Sequence, residues 1–298
     1  MINGLVNVYK EKGFTSFDAC AVMRGIFGQR KVGHMGTLDP NAEGVLPICL
    51  GNATKLCDML NDRKKEYIAV FLLGKETDTL DIWGNVINER APKVSEEELR
   101  DAIMSFEGGY EQLPPMYSAK KIDGKRLYDI ARSGREVERK PVFVEIYEIE
   151  IMDISMPYAT IRVSCGKGTY IRSLCADIAF KCGEIACMTA LKRTQVAEFT
   201  IDKSYTLTKL TKLKQEGRLE SVVTPTDFCF MDYGEIHVKK EFKRYIDNGN
   251  KLTHEMLTRN FNVNDKDIVR VYNTEDDFTG LYEYNAPGRF FKPFKMFM

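Results

Sequence analysis

The run from Lys31 to Gly51 constrains this chain more than any other stretch. It holds four glycines, two prolines and the only histidine of the first 230 residues. Gly33, Gly36 and Gly44 open backbone angles that other residues avoid. Pro40 pushes Asp39 out of the helical region into an extended or turn conformation. Directly after it, Val45-Leu46-Pro47-Ile48-Cys49-Leu50 is apolar enough to be buried. The acid is therefore presented between flexible positions and a core segment. Asp-Pro is also a common way to start a turn, and spacing alone favours a plain loop.

A chain of 298 residues with 44% apolar residues and 11% aromatics can bury a sizeable core in one large domain or two. The formal net charge is zero, so no bulk positive field marks a nucleic-acid binder. Local patches decide that question instead. The eight cysteines form no CxxC pair and have no ligand-like spacing with histidine. Beside apolar neighbours they read as reduced core thiols of a cytosolic protein, with neither disulfide nor metal. No signal peptide and no apolar run near 18 residues is present, so secretion and membrane insertion are not expected.

Leu5–Tyr9 reads as a first strand, followed by a helix capped by Thr15 or Ser16, with Phe17, Cys20, Ala21 and Phe27 on one side and Met23 at the border. Residues 64–74 have strand composition, residues 77–84 form a polar turn, and residues 85–88 return as a short strand. Ser95-Glu-Glu-Glu98 is a capping box ahead of a helix carrying Leu99, Ala102, Ile103 and Phe106. Val142–Met152 is the clearest strand, with Ala159–Ser164 as its partner. Gly166-Lys-Gly-Thr-Tyr-Ile-Arg172 opens a further helix that Gly183 is placed to end. Lys-Gly-Thr at a helix start can bind phosphate, but it lacks P-loop spacing.

Between Lys120 and Lys140 eight Lys/Arg stand against four Asp/Glu, with Tyr128 among them and Tyr117 just before. That mixture suits a phosphate backbone with stacked bases, and equally a solvated surface helix. A boundary near residue 230 leaves 1–230 as the main domain and 231–298 as a small β-rich appendage with turns such as Asp247-Asn-Gly-Asn250.

Five separated blocks, in order, resemble those of the TruB family of tRNA pseudouridine synthases. They are Gly33-His-Met-Gly-Thr-Leu-Asp-Pro-x-Ala-x-Gly-Val-Leu-Pro47, Lys65-Glu-Tyr67, Thr77-Asp-Thr-x-Asp-x-x-Gly84, Pro114-Pro-x-Tyr-Ser-Ala-x-Lys-x-x-Gly124 and Lys167-Gly-Thr-Tyr-Ile-Arg172. The tail resembles the family's C-terminal RNA-binding appendage, often PUA-like. Two departures stand out. Lys10-Glu-Lys-Gly13 replaces the family's Lys-Pro-x-Gly, and Asn41 and Glu43 stand where Leu and Thr are common.

The resemblance implies an α+β fold: a mixed, mainly antiparallel sheet with flanking helices and a catalytic cleft, plus the small β-rich C-terminal domain. It implies conversion of uridine 55 in the TΨC loop of tRNA to pseudouridine, after the base is flipped out. The N1–C1′ bond breaks and a C5–C1′ bond forms, with no redox change, so no cofactor is expected. Asp39 matches the catalytic Asp, Tyr67 the Tyr that stacks on uracil, and Arg172 the Arg that pairs with the acid and keeps it ionised. Tyr170 and Leu191 match pocket walls, and His34 an RNA-contacting His. Lys10, Lys12, Lys120 and Lys121 are candidate phosphate contacts. The implied partner is the T-arm of tRNA, in the cytoplasm, with neither membrane nor protein partner.

Two other readings compete. Asp78 and Asp81 beside a third carboxylate would suit a two-acid glycosidase, but hydrolysis loses the base and nothing positions a water. A turn-stabilising or strand-linking role suits both acids better. A non-catalytic RNA-binding protein or tRNA-folding chaperone would use the basic segment and tail equally well, yet has no need of Asp39, Tyr67 and Arg172 together.

Overall fold

Strand β1 (Gly4–Lys10) is buried along almost its whole length and leads into helix α1 (Ser16–Phe27). The computed structural model describes the chain apart from residues 58, 60–62, 119–120, 123–124, 127–136 and 260, and apart from the side chains of residues 121–122 and 125–126. Thr15 and Asp18 form a reciprocal capping box at the start of α1, and Gly28 ends it in the left-handed region. The buried face is Ser16, Ala19, Cys20, Met23 and Ile26, rotated from the stripe expected from sequence. Phe17 is 67% exposed, with the Arg24 guanidinium 5.3 Å over its ring. The sheet residues Val6, Val8 and Ile48 share a core with Met23 and Ile26, and that contact fixes the rotation.

The chain continues through β2 (Val32–His34), β3 (Glu43–Leu50), β4 (Lys65–Leu73), the hairpin β5 (Lys75–Thr77) and β6 (Val86–Glu89), α2 (Glu96–Met104) and β7 (Tyr110–Gln112). Next come β8 (Lys121–Ile122), β9 (Lys125–Arg126), β10 (Val142–Val144), β11 (Ile146–Ser155), β12 (Tyr158–Cys165), α3 (Ile171–Lys181) and β13 (Ala186–Val196). The first unit closes with β14 (Phe199–Thr200), β15 (Tyr205–Thr206) and α4 (Leu207–Gln215).

The main sheet runs β11-β12-β4-β13-β3-β1-β15, with β2 on β3 and β14 on β13. It is antiparallel except where β13 meets β3 and β1 meets β15. Every second residue of β4 is buried, from Lys65 through Tyr67, Ala69 and Phe71 to Leu73. On that face the sheet packs against α2 and α3 through Leu99, Ile103, Ile171, Leu174 and Ile178. Helices α1 and α4 cover Val6, Val8, Leu46 and Ile48. The architecture is α+β, as expected.

Val142–Met152, read as one strand, is two. β10 pairs with β7 while β11 pairs with β12. The Glu145 carbonyl between them accepts from Gly166 N, and Gly109 passes so close that a Cβ there would lie 2.3 Å from Val144 O.

A second sheet follows: β16 (Gly234–His237), β17 (Leu252–Thr253), β18 (Ile268–Tyr272), β19 (Phe278–Asn285) and β20 (Phe290–Met296), ordered β16-β18-β19-β20-β17. Phe230, Leu281 and Phe297 pack with Leu5, Val45, Cys49 and Phe199, joining it to the main sheet. Among the described residues, no helix is long and apolar enough to cross a membrane.

Candidate active site

Strands β4 and β13, the loop between β2 and β3, and the first turn of α3 converge on a cavity of about 270 Å³. Asp39, Tyr67, Tyr170, Arg172 and Leu191 all line it. These five come from segments as far apart as residues 39 and 191. Pairing between β4 and β13 sets Leu191 opposite Ala69 and Arg193 opposite Tyr67, so Leu191 and Tyr67 share one floor.

Arg172 is 6% exposed and organises the cation side. Its Nε stands 3.0 Å from Asp39 Oδ2 and its Nη1 3.6 Å from Asp81 Oδ2. Nη1 also donates to Thr79 O and Nη2 to Tyr117 O, each at 2.9 Å. One planar guanidinium thus meets two carboxylates and two carbonyls, a fork that a lysine ammonium does not reproduce. Thr79 Oγ1 and Trp83 N donate to Asp81 Oδ1 at 2.7 and 3.2 Å.

The Asp39 loop is held on all sides by buried polar groups. Arg193, fully buried, donates from Nε to Val45 O (2.8 Å), from Nη1 to Thr37 O (3.3 Å) and from Nη2 to Gly36 O (3.1 Å). Ser16 Oγ accepts from Leu38 N and donates to Leu38 O. Lys10 Nζ donates to Pro40 O, Phe14 O and Glu11 O at 3.1, 2.6 and 3.1 Å. Gly13 N adds a second donor to Pro40 O. The turn is therefore Asp-Pro in form and rigid in consequence, and the Asp39 side chain, 40% exposed, opens into the cavity.

Tyr67 is 7% exposed, and its hydroxyl hydrogen-bonds Arg193. Burial pushes its pKa above the ordinary phenol value, and the Arg193 charge opposes that only in part. The ring is a neutral phenol at physiological pH. Tyr170 is pinned through its backbone: its N donates to Gln112 Oε1 at 2.8 Å and its O accepts from Gln112 Nε2 at 3.0 Å. Gln112 also meets Tyr110 Oη, which donates to Asp177 Oδ2 on α3.

The remaining sequence-predicted residues lie elsewhere. Lys10 is a correction. It is wholly buried, its ammonium hydrogens are taken by three carbonyls, and it has no hydrogen left for phosphate. Lys12 is exposed in the following turn. His34 is half-buried on β2 and does not line the cavity; burial, then the Arg193 charge, lowers its pKa. Lys120 and Tyr128, with most of the basic segment, lie outside the described residues, as does the Lys121 side chain. Asp78 is a turn residue, accepting from Asn85 N and Nδ2. Asp81 bridges to Met188 and also reaches Arg172, so it belongs to the site. Glu43 is compensated within the protein: Lys192 stands 3.1 Å away and Tyr9 hydrogen-bonds it.

Sequence reasoning missed Arg193 and Gln112. Arg193 had one available signal, its two-residue spacing from Leu191, which puts both on one face of a strand. Chemically, the site offers a carboxylate fixed by a buried cation, a stacking ring beneath it and an apolar wall.

Comparison with known proteins agrees with that inventory. The model of the TruB family pseudouridylate synthase N-terminal domain matches residues 24–171, and that of the tRNA pseudouridylate synthase B C-terminal domain matches residues 172–231. The chain belongs to the TruB family. It is 46% identical, over the full length of both chains, to tRNA pseudouridine synthase B of Lachnoclostridium phytofermentans. It is 44% identical to that of Clostridium tetani, over 96% of this chain and 97% of the other. Among solved structures, a Cbf5–Nop10–Gar1 complex contains a chain that superposes with a TM-score of 0.74 at 25% identity, over 99% of this chain and 85% of the other. As a TruB protein the chain is a tRNA pseudouridine synthase, an isomerase that acts on tRNA. The two family models end at residue 231, so the β16–β20 sheet lies beyond both matches.

Proposed function

We propose that this enzyme isomerises uridine 55 in the T-arm of tRNA to pseudouridine, flipping the base out of its loop and using Asp39 to break and re-form the base–sugar bond. The observation that carries the reading is the 3.0 Å pair between Arg172 Nε and Asp39 Oδ2, at the wall of a cavity lined by Tyr67, Tyr170 and Leu191. Extruding the base costs a few kcal/mol, which stacking on Tyr67 and contact with Leu191 offset.

With the base seated, ionised Asp39 acts at the sugar or the base, by attack at C1′, addition to the ring, or removal of a sugar proton. In each route N1–C1′ breaks, the uracil turns, and C5–C1′ forms. The C5 proton leaves to water and N1 gains one, so the formula is unchanged. Tyr67, as a neutral phenol, serves as stacking face and proton relay rather than as an anionic base. The Ser118 hydroxyl lines the same cavity, buried and with no hydrogen-bond partner among the described residues, and is available to a base edge. Lys12, His34, Lys120, Lys121 and the C-terminal sheet contact the rest of the RNA, in the cytoplasm.

The test uses tRNA carrying tritium at C5 of uridine. Wild type releases label to water, and Asp39→Asn stops release while still binding tRNA. Full release by Asp39→Asn overturns the assignment of the acid. Free uracil from wild type would instead indicate a glycosidase.

A further inference from the structure

Beside the Asp39 cavity lies a second of about 230 Å³, close in size to the first. The two share Asp39, Tyr117 and Arg172 as walls, so whatever fills one touches groups that line the other. Two residues of the second cavity, Asn41 and Trp83, take no part in holding the Asp39 loop. Trp83 is the chain's one tryptophan and is 47% exposed. Its backbone is fixed by the Asp81 carboxylate, which itself pairs with Arg172. The backbone that carries the indole is therefore tied to the same carboxylate–guanidinium network as Asp39. Among the described residues, neither the indole nor the Asn41 amide has a hydrogen-bond partner.

The chemistry of this cavity selects its occupant. Asp39 and Asp81 outnumber Arg172 on its walls, and both already pair with that guanidinium, so the cavity opposes a phosphate. An indole face, an amide and carboxylate oxygens suit an uncharged heteroaromatic ring with N–H donors at its edge. RNA recognition favours that combination of aromatic stacking and amide contact to an unstacked base. We propose that Trp83 and Asn41 form a second base subsite, which takes the unpaired base adjacent to the target uridine by stacking on the indole and hydrogen bonding to the amide. This rests on the reading of the Asp39 cavity as the uridine site. A neighbouring base seated there would hold the RNA backbone at the point where the target nucleotide leaves its stack.

The single tryptophan makes the subsite directly observable. In full-length Asp39→Asn, which binds without turnover, a T-arm stem–loop RNA should quench the indole emission. Removing one base next to the target uridine should restore the emission, while an abasic position in the stem should not. In the active enzyme, Trp83→Ala and Asn41→Ala should each raise KM about tenfold with kcat at saturating RNA unchanged, since base stacking contributes on that order. Trp83→Phe should recover most of the loss. RNA that binds by filter retention yet leaves the emission unchanged would overturn the proposal, as would quenching that survives every abasic substitution. Absence of tritium release by wild type would instead remove the uridine-site reading on which the proposal stands.

Discussion

Arg172 Nε stands 3.0 Å from Asp39 Oδ2, with the arginine side chain 7% exposed and the aspartate 40%. The cation is buried structure; the anion is the part that faces the cavity. Arg172→Lys keeps the charge but cannot serve Asp39, Asp81, Thr79 O and Tyr117 O together. Hydrogen bonds to charged groups contribute about 1.5–3 kcal/mol each, so the single-turnover rate should fall by about a hundredfold or more. Asp81→Asn removes one longer contact and should cost about tenfold. Tritium release measures both, and equal losses would contradict the ordering.

Much of this site was legible as a set of residues and little of it as geometry. Asp39, Tyr67, Tyr170 and Arg172 were found through ordered motifs, because each block sits on a different element and no local pattern links the blocks. Leu191, outside those blocks, came only from its match to the family's pocket wall. Asp81 was read only as a turn or strand-linking residue, since nothing in Thr77–Gly84 shows that α3 brings Arg172 to it. Arg193 was missed because its burial depends on pairing with β4, which lies more than a hundred residues away in the chain. Lys10 looked like a phosphate ligand because a lysine in a Gly-containing turn carries no mark of burial. Helix caps, being local, came through intact at Thr15 and Ser95.

Lys10 gives a pH prediction with two opposite limbs. Burial, then the Arg193 charge, lowers its pKa from the ordinary 10.5 to about 8. The folded chain thus holds this proton less tightly than the unfolded one. Its contribution to folding disfavours the native state below about pH 8, and that penalty is relieved as pH rises from about 8 to 10.5. Activity should move the other way, because neutral Lys10 loses a hydrogen bond donor to the Asp39–Pro40 turn. Tyr67 titrates higher and His34 lower than ordinary, so neither accounts for a midpoint near 8. Single-turnover rates and urea midpoints across pH 7–10 check both limbs. Lys10→Met should flatten them; a rate that stays level past pH 9 would remove Lys10 from the turn's support.

Arg193→Met should separate positioning from binding. It removes the Arg193 donors from the carbonyls of Val45, in a buried setting, and of Gly36 and Thr37, in a partly buried one. Unpaired buried groups cost about 1–3 kcal/mol each, partly recovered by relaxation, for a net loss of about 3 kcal/mol. At about 2–4 °C per kcal/mol, Tm should fall by roughly 6–12 °C. Because Gly36 and Thr37 lie three and two residues ahead of Asp39 in the same loop, kcat should drop with KM nearly constant. Calorimetry with steady-state kinetics checks this, and a variant with lowered Tm but wild-type kcat would show that Arg193 supports the fold without aiming the acid.

Gly44→Ala tests whether the junction of β3 and β13 is the hinge on which the site is built. Gly44 has φ 113° and lies opposite Arg193 in the short parallel contact that joins the two strands. A Cβ there would lie 2.2 Å from Arg193 O, a backbone atom that cannot swing away. Relief requires the strands to part, which also strains the Glu43–Lys192 pair beside them and the guanidinium that supports Gly36 and Thr37. Gly28 provides the comparison. It too has positive φ, at 63°, but a Cβ there meets nothing within 4 Å. Gly28→Ala should therefore cost only the left-handed backbone penalty, about 1–2 kcal/mol. Gly44→Ala should cost about 4 kcal/mol or more, in the range that marks a specific structural defect, and should abolish tritium release. Urea unfolding of the two variants decides it: equal losses would mean that the β3–β13 approach is slack and that Asp39 is held by its own loop alone.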